Sequence, residues 1–351
     1  MRKILVTLGV GLSVLALAGC GTAPANKTPT ANPNNALWTS TDAGKTWVNN
    51  FLPNGKIDIS GIDVLSLAIS SINAKNAYAG LKGPGILKTA DGGQNWEYLP
   101  FQPQKVYGLD IDPTDDRVIY ASGVWQSRGK IFKSIDAGVN WKEIYTTAAN
   151  GPLVIALVVD KKSPNIVYAA TSDNQMIKSA DGGATWKNIF SPVSPIIRIV
   201  VDKIDDNLVY GLTVSGDLVK SNDGGQTFAS IAKNMSTISN NIAGLDLIET
   251  DPTNGGWLYA GGQPGLLLSK DGGATWAKIQ ILNNPQTYPV KALAINPTNS
   301  RELIYGAAQA AYRSTDGGVN WTAFQFNLSK GVNLIRYATT DPTQLYLGFS
   351  K

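Results

Sequence analysis

Short apolar segments alternate with polar turns along the chain after residue 36. One unit starts with Leu109–Ile111, continues through Asp112-Pro113, and reaches a second apolar segment that ends in Tyr120. The same order recurs where Asp251-Pro252 precedes Leu258-Tyr259. Short runs of β-branched and aromatic residues bounded by such turns are typical of β-strands. The pattern therefore predicts an all-β protein built from repeated pairs of strands.

A second motif, Ser/Thr-x-Asp-x-Gly-x-Thr/Asn-Trp, follows these strand pairs and occurs seven times, once with Phe228 in place of Trp. Successive motif aspartates are 49, 45, 45, 42, 48 and 45 residues apart. A period near 45 residues is the length of a four-stranded propeller blade. We therefore predict a seven-bladed β-propeller with antiparallel four-stranded blades over residues 37–351. The motif aspartates are Asp42, Asp91, Asp136, Asp181, Asp223, Asp271 and Asp316.

The chemistry of this motif is local. Its Asp carboxylate can accept backbone N–H groups in a tight turn, and its Gly supplies a conformation that other residues avoid. The Trp ring can then pack against the blade. We interpret the seven aspartates as structural rather than catalytic.

The two ends of the chain carry complementary halves of one unit. The first motif copy, around Asp42, has only the third and fourth strands, and the segment Asn333–Ser350 has only the first and second. Together they would complete the seventh blade and cover strand edges that favour aggregation. This order puts the Asp-Pro turns and motif turns on one rim, the bottom, and the other loops on the top.

The N-terminus indicates export. Residues 1–20 comprise a basic start, an apolar stretch and the sequence Leu17-Ala18-Gly19-Cys20, which resembles the signal peptide and lipobox of bacterial lipoproteins. In that family the cysteine is lipidated and becomes the new N-terminus. Residues 21–36 are polar and contain Pro, as in a flexible tether. We expect a lipid on Cys20 to anchor the protein at the outer face of the cytoplasmic membrane or at the outer membrane.

Composition excludes several chemistries. The chain has no histidine, which removes imidazole bases and histidine metal ligands. We expect no metal and no cofactor. Removing Arg2 and Lys3 lowers the formal net charge from +4 to +2, and no basic run points to nucleic acid. Cys20 is the only cysteine, so the mature domain cannot form an internal disulfide. We expect a monomer.

Propellers bind ligands where the inner strands and top loops converge on the central channel. Aligning the first strands puts polar residues at that entrance: Tyr107, Asp110, Arg198, Asp246, Glu249, Lys291, Arg336 and Tyr337. Mutual ion pairing across the channel would explain them without any ligand. Trp125 and Arg128 share a top loop, and an exposed aromatic beside Arg is typical of a binding anchor. A Trp ring folded over its own blade is the alternative.

The repeat resembles the Asp-box, or BNR, unit of sialidases, xyloglucanases, sortilin and photosystem II assembly factors. Blade number, lipobox and length are most similar to the assembly factors, which implies a lipid-anchored propeller that presents a basic patch to membrane-protein partners. The resemblance therefore implies a binding scaffold that docks a protein or glycan through its top face. We expect Trp125, Arg128, Arg198 and Arg336 to lie together on that face.

A glycoside hydrolase is the alternative, because several Asp-box propellers are glycosidases. Such enzymes need two carboxylates at a defined separation or a sialidase-like nucleophile with three arginines. An unpartnered pair, Asp110 and Glu249, would be the candidate catalytic residues.

Overall fold

The described residues of the computed structural model are 36–49, 59, 61–148, 151–236, 238 and 242–351. Within these ranges the strands form seven antiparallel sheets. The innermost strand of each sheet contacts the innermost strands of the two neighbouring sheets, and these seven contacts close into a ring. This arrangement confirms the seven-bladed β-propeller that the repeats predict.

The strands are numbered in chain order, and each blade is given from the channel outward. Strand β1 (Leu37–Ser40) precedes the first complete blade. Blade 1 contains β2 (Val64–Ile69), β3 (Ala77–Leu81), β4 (Ile86–Thr89) and β5 (Glu97–Tyr98). Blade 2 contains β6 (Leu109–Ile111), β7 (Ile119–Trp125), β8 (Arg128–Ser134) and β9 (Lys142–Thr146). Blade 3 contains β10 (Val154–Val159), β11 (Val167–Thr171), β12 (Gln175–Ser179) and β13 (Lys187–Phe190).

The second half of the ring follows the same order. Blade 4 contains β14 (Ile196–Val201), β15 (Val209–Thr213), β16 (Leu218–Ser221) and β17 (Ala229–Ser230). Two short 3-10 helices, Ala232–Met235 and Ile242–Gly244, lie between blades 4 and 5. Blade 5 contains β18 (Leu245–Thr250), β19 (Leu258–Gly262), β20 (Gly265–Ser269) and β21 (Ala277–Ile279). Blade 6 contains β22 (Val290–Asn296), β23 (Asn299–Ala307), β24 (Ala310–Ser314) and β25 (Thr322–Gln325).

Blade 7 joins the two ends of the chain, as the complementary half units predict. It contains β26 (Gly331–Tyr337) and β27 (Leu345–Ser350), and β1 pairs antiparallel with β27 from Leu37 opposite Gly348 to Ser40 opposite Leu345. Val48 occupies the fourth-strand position, exchanging backbone hydrogen bonds of 2.9 and 2.8 Å with Thr39. The ring is therefore closed by non-covalent pairing of residues more than 300 positions apart.

Each Asp-box turn is held by the same hydrogen bonds. In blade 3, Ser179 Oγ donates to Asp181 at 2.8 Å and accepts the Gly183 N–H at 2.8 Å. Asp181 accepts the Thr185 N–H at 2.8 Å and the Thr185 hydroxyl at 2.6 Å. The residue after each box Asp has a positive φ, for example 59° at Ala43 and 68° at Gly182. The box is a turn-forming motif, as its residue types indicate.

The Asp-box turns and the turns between first and second strands share the bottom rim. In every blade the N–H of the residue after the box Asp donates to a backbone carbonyl at 2.8–3.1 Å. That carbonyl lies in the connection between the first and second strands, or in blade 6 near the start of the second strand. Examples are Gly182 to Asn165 in blade 3 and Ala43 to Thr343 in blade 7. The remaining connections therefore lie on the top rim, in agreement with the predicted polarity.

Candidate functional site

The wall of the central channel carries most of the charged candidates at different depths. First strands run from top to bottom. Lys291 and Asp246 are second in β22 and β18, so they lie near the entrance. Arg198 is third of the six residues of β14. Arg336 and Glu249 are each next to last in their strands, and therefore lie deeper than the entrance position that the sequence predicts.

Three ion pairs connect these charges. Lys291 Nζ lies 2.7 Å from an Asp246 oxygen between neighbouring blades. Arg336 Nη1 lies 2.9 Å from Glu249 Oε1, although blade 6 separates their strands. Lys161, which sequence reasoning did not select, extends from the first turn of blade 3 to Asp110 at 2.6 Å.

Two channel cations have no such partner. In the described part of the chain, no carboxylate oxygen lies within 4.0 Å of the charged nitrogens of Arg198 or Lys203. Arg198 is solvent-exposed and donates only to the adjacent Ile197 carbonyl, at 3.1 Å. The surrounding protein lowers its pKa by desolvation, Arg336 lowers it further, and Glu249 and Asp246 oppose the effect. Arg198 is therefore exposed within the channel rather than on the outer surface of the ring.

Lys203 occupies the position in blade 4 that Lys161 occupies in blade 3, directly after the Asp of the first turn. Lys203 is solvent-exposed, but desolvation by the surrounding protein lowers its pKa, while Glu249 opposes that effect. Lys203 has no carboxylate partner because the residue of blade 3 that corresponds to Asp110 of blade 2 is Val158. The repeated Asp-Lys dipeptides at 160–161 and 202–203 were a signal that could have located both lysines in the sequence.

Trp125 and Arg128 lie on a hairpin between the second and third strands of blade 2. They face each other across Gln126 and Ser127, whose φ angles of 52° and 62° fit a two-residue turn. The Trp125 ring is half-buried against the hydrophobic cluster that contains Phe101. Arg128 Nε donates to the Thr147 carbonyl at 2.9 Å.

The expectation that Trp125, Arg128, Arg198 and Arg336 lie together is wrong. The first two occupy the hairpin of outer strands, where the indole packs against a cluster formed by blades 1 and 2, and the arginines of β14 and β26 line the channel. Second and third strands stand about 5 and 10 Å outward from the first strand of a blade. The candidate site is therefore the channel, and the hairpin is separate from it.

The two tyrosine candidates differ. Tyr107 is half-buried just before β6, on the top side. The prediction that Tyr337 lies at the channel entrance is wrong. It is the last residue of β26, at the bottom, and is only 8% exposed. Burial raises its pKa, and Glu302 raises it further.

The carboxylates proposed for the hydrolytic alternative are not an unpartnered pair. Asp110 also accepts the Val159 N–H at 2.8 Å, in addition to Lys161, and Glu249 pairs with Arg336. Each side chain is thus used in contacts between blades. The expectation that Asp110 and Glu249 form an unpartnered pair is therefore wrong.

The Asp-box aspartates act as turn acceptors. Hydrogen bonds from Thr185 lower the pKa of Asp181 to about 2, and those from Thr275 lower the pKa of Asp271 to about 2. A carboxylate held ionised in this way is a poor proton donor near neutral pH. Within the described ranges, no group of three or more acidic or cysteine side chains could hold a metal ion. None of the helices described is long and apolar enough to span a membrane. Cys20 lies outside the described residues.

The ring and its repeated turns define a class of protein, the seven-bladed Asp-box β-propeller. Residues 196–348, blades 4 to 7, match the family described as photosynthesis system II assembly factor YCF48. The chain is thus a BNR-type, YCF48-like propeller over that segment.

Solved structures share the fold. The GH74 xyloglucanase from Xanthomonas campestris superposes with a TM-score of 0.66 at 16% identity, over 82% of this chain and 50% of that one. This chain therefore spans half the length of the xyloglucanase. A structure of YCF48 bound to D1 peptide gives 0.61 at 13% identity, over 82% and 94% of the two chains. YCF48 from Cyanidioschyzon merolae gives 0.60 at 14%, over 82% and 95%. No curated protein sequence matches the chain.

Proposed function

We propose that this protein is a lipid-tethered extracytoplasmic scaffold that docks an acidic segment of a protein partner in its central channel. The observation that carries the proposal is the excess of cations in the channel. Among the described channel residues, Lys161, Lys291 and Arg336 pair with Asp110, Asp246 and Glu249, whereas Arg198 and Lys203 form no ion pair. Glu249 and Asp251 act on Lys203 only from beyond 4.0 Å.

An acidic ligand has a physical reason to bind here. Arg198 reaches channel water but has no carboxylate partner, and its lowered pKa means that the surroundings disfavour its charge. A ligand carboxylate would offset that cost by a charge-assisted hydrogen bond. The similarity to YCF48, one structure of which holds a D1 peptide, supports a peptide-like ligand.

The test is capture of partners from native membranes by the wild type, Arg198→Glu and Arg117→Glu. Arg117 is a matched control, because it is exposed on the bottom rim and pairs locally with Asp115. We expect Arg198→Glu to lose the bound protein and Arg117→Glu to retain it. Binding should also weaken as salt is raised. Equal capture by both variants would refute the docking site.

The tether is a separate part of the proposal. It is supported by the lipobox-like sequence that ends at Cys20. Intact-mass analysis of the mature protein should show a lipid on the wild type, and Cys20→Ala should remain unlipidated and leave the membrane fraction. An unlipidated, membrane-free wild type would remove the tether from the proposal without affecting the channel.

Hydrolysis is tested in parallel because xyloglucanases share the fold. We expect no turnover of xyloglucan or aryl glycosides. Turnover that is abolished by Asp110→Asn or Glu249→Gln, in protein that remains folded, would replace the scaffold with a glycosidase.

A further inference from the structure

In the described chain, a side-chain donor lies between neighbouring blades at every bottom-rim junction except one. At most junctions, a side chain of one blade reaches the carbonyl of the residue after the box Asp in the next blade. Lys133 Nζ lies 2.9 Å from the Gly182 carbonyl, and Lys178 Nζ lies 2.7 Å from the Gly224 carbonyl. The same ammonium groups lie 5.0 and 5.1 Å from the ring centroids of Tyr120 and Tyr168. We call this contact the junction clamp.

Other junctions achieve the same result with related groups. Lys88 reaches the Ala137 carbonyl, Arg313 the Ala43 carbonyl at 2.7 Å, and Gln344 the Gly92 carbonyl at 3.1 Å. Lys220 lies over Tyr210, and its Nζ fills the space beside Gly272. In each case a donor occupies the same place between two blades.

The junction between blades 5 and 6 lacks this donor. The clamp lysine immediately precedes the Ser or Thr of the box, as Lys178 precedes Ser179, and in blade 5 that position is Leu268. No hydrogen bond from a described residue reaches the Gly317 carbonyl. A Cβ added at Gly317 would meet no atom within 4 Å, whereas one at Gly182 would lie 3.1 Å from Lys133 Nζ.

At this junction a pocket lies where the clamp donor lies at the other junctions. Its volume is about 380 Å³, and its lining includes Tyr259, Leu268, Gly317 and Trp257. Tyr259 is the counterpart of Tyr120 and Tyr168, and its hydroxyl lies 3.4 Å from Asp251 rather than from the glycine carbonyl. The pocket is therefore lined by the tyrosine and the glycine that correspond to those of the clamp, but the clamp ammonium group has no counterpart there.

The local charges favour a cation at this place. Burial lowers the pKa of the clamp lysine Lys178, while Asp160 and Asp223 raise it. The equivalent carboxylates at the unclamped junction are Asp251, which follows β18, and the box residue Asp316. Two exposed cations, Lys270 and Arg301, also line the pocket, but Lys270 lies over the Trp257 ring, 4.3 Å from its centroid.

We infer that this pocket is a receptor for a primary alkylammonium group supplied by another molecule. The ammonium would donate to the Gly317 carbonyl and lie over the Tyr259 ring, as Lys133 and Lys178 do at their junctions. Its source is either a free alkylamine or the lysine side chain of a protein segment, and the recognition chemistry is the same for both.

The experiment titrates the mature domain with n-butylammonium, Nα-acetyl-lysine methylamide and the neutral isostere Nα-acetyl-norleucine methylamide, and follows tryptophan indole N–H signals by NMR. We expect saturable shifts at Trp257 with both amines and none with the norleucine compound. Saturation by the lysine compound at about tenfold lower concentration than by butylammonium would identify a peptide lysine as the source. The reverse order would identify a free amine.

Two variants make the test specific. Leu268→Lys would supply the missing clamp from within, so it should abolish amine binding and raise the melting temperature, while Leu268→Met should bind as the wild type does. Lys178→Leu should create a second amine site between blades 3 and 4, and this gain remains informative if Leu268→Lys does not fold.

Three results would overturn the inference. One is an absence of saturable amine binding to the wild type. Another is binding that appears only after Lys270→Met, which would show that the chain's own lysine fills the pocket. The third is preferential binding of acetate or sulfate that is lost on Arg301→Ala, which would make the pocket an anion site.

Discussion

The bottom rim and the channel wall are built by the same repeat, but they differ in how strictly they follow it. On the rim, each of seven boxes uses its Ser or Thr, Asp and Gly in the same hydrogen bonds. On the wall, equivalent positions of the first strands hold Ala68, Asp110, Val158, Val200, Glu249, Ala294 and Arg336. Positions that repeat hold the ring together, and positions that vary give this propeller its own electrostatic character.

Breaking the closure of the ring should have the largest effect, because every blade depends on a continuous circle. A chain that ends at Gln344 lacks β27, the only described strand that pairs with β1. We expect it to lose cooperative thermal unfolding, measured by circular dichroism. Deletion of the exposed Lys351 alone is the control. A cooperative transition in the longer truncation at the temperature of the control would show that blade 7 does not close the ring.

Acid should have the next largest effect, because it acts on all the boxes together. Their carboxyl pKa values lie below the unfolded value of about 3.8, for example about 2 in Asp181 and Asp316. Such groups contribute stability that is complete above pH 4 and is lost as the pH falls toward 2. We expect the melting temperature to fall across this window.

Asp181→Asn is the matched variant for the acid experiment. Since an amide does not titrate there, its stability should depend less steeply on pH between 4 and 2 than that of the wild type. Identical slopes in the two proteins would show that this box carboxyl does not contribute to acid unfolding.

Removing an aromatic ring that joins two blades should cost several kcal/mol. Tyr346 is fully buried in blade 7, its hydroxyl donates to the Ala74 carbonyl of blade 1 at 2.9 Å, and its ring contacts Trp96. We expect Tyr346→Ala to lower the free energy of unfolding by about 3–5 kcal/mol. Tyr346→Phe should cost about 1 kcal/mol, since only the hydrogen bond is lost. Denaturant unfolding of both variants separates packing from hydrogen bonding, and a similar cost for each would contradict this ranking.

A single box hydroxyl should matter less. Ser179 is 1% exposed, and its Oγ accepts the buried Gly183 N–H. Replacing it with Ala leaves that N–H without a partner, so we expect a cost of about 1–3 kcal/mol in denaturant unfolding. Ser179→Thr should restore most of the stability, because Thr89 holds the same position in blade 1 with the same hydrogen bonds. Failure of Thr to recover stability would mean that the hydroxyl is not the important group.

The sequence was sufficient to predict features that depend on periodicity. Motif spacing gave the number of blades, and strand order gave the closure of blade 7 and the two rims. It was insufficient for contacts between blades, because these join residues about 50 or more positions apart. The pairing of Lys161 with Asp110 depends on how far a lysine extends across a junction, and the position of Tyr337 depends on where β26 ends.

Substitutions in the channel should have the smallest effects on stability. They allow a residue that joins two blades to be compared with one that does not. Lys161 joins two blades through Asp110, whereas Arg198 holds no carboxylate and is repelled by Arg336. In denaturant unfolding we therefore expect Lys161→Ala to cost about 1–2 kcal/mol, reduced by its partial exposure. Arg198→Ala should change stability by less than about 0.5 kcal/mol. An arginine that contributes nothing to the fold and yet is needed for partner capture would be a binding residue, whereas a large loss of stability would mean that Arg198 supports the channel wall.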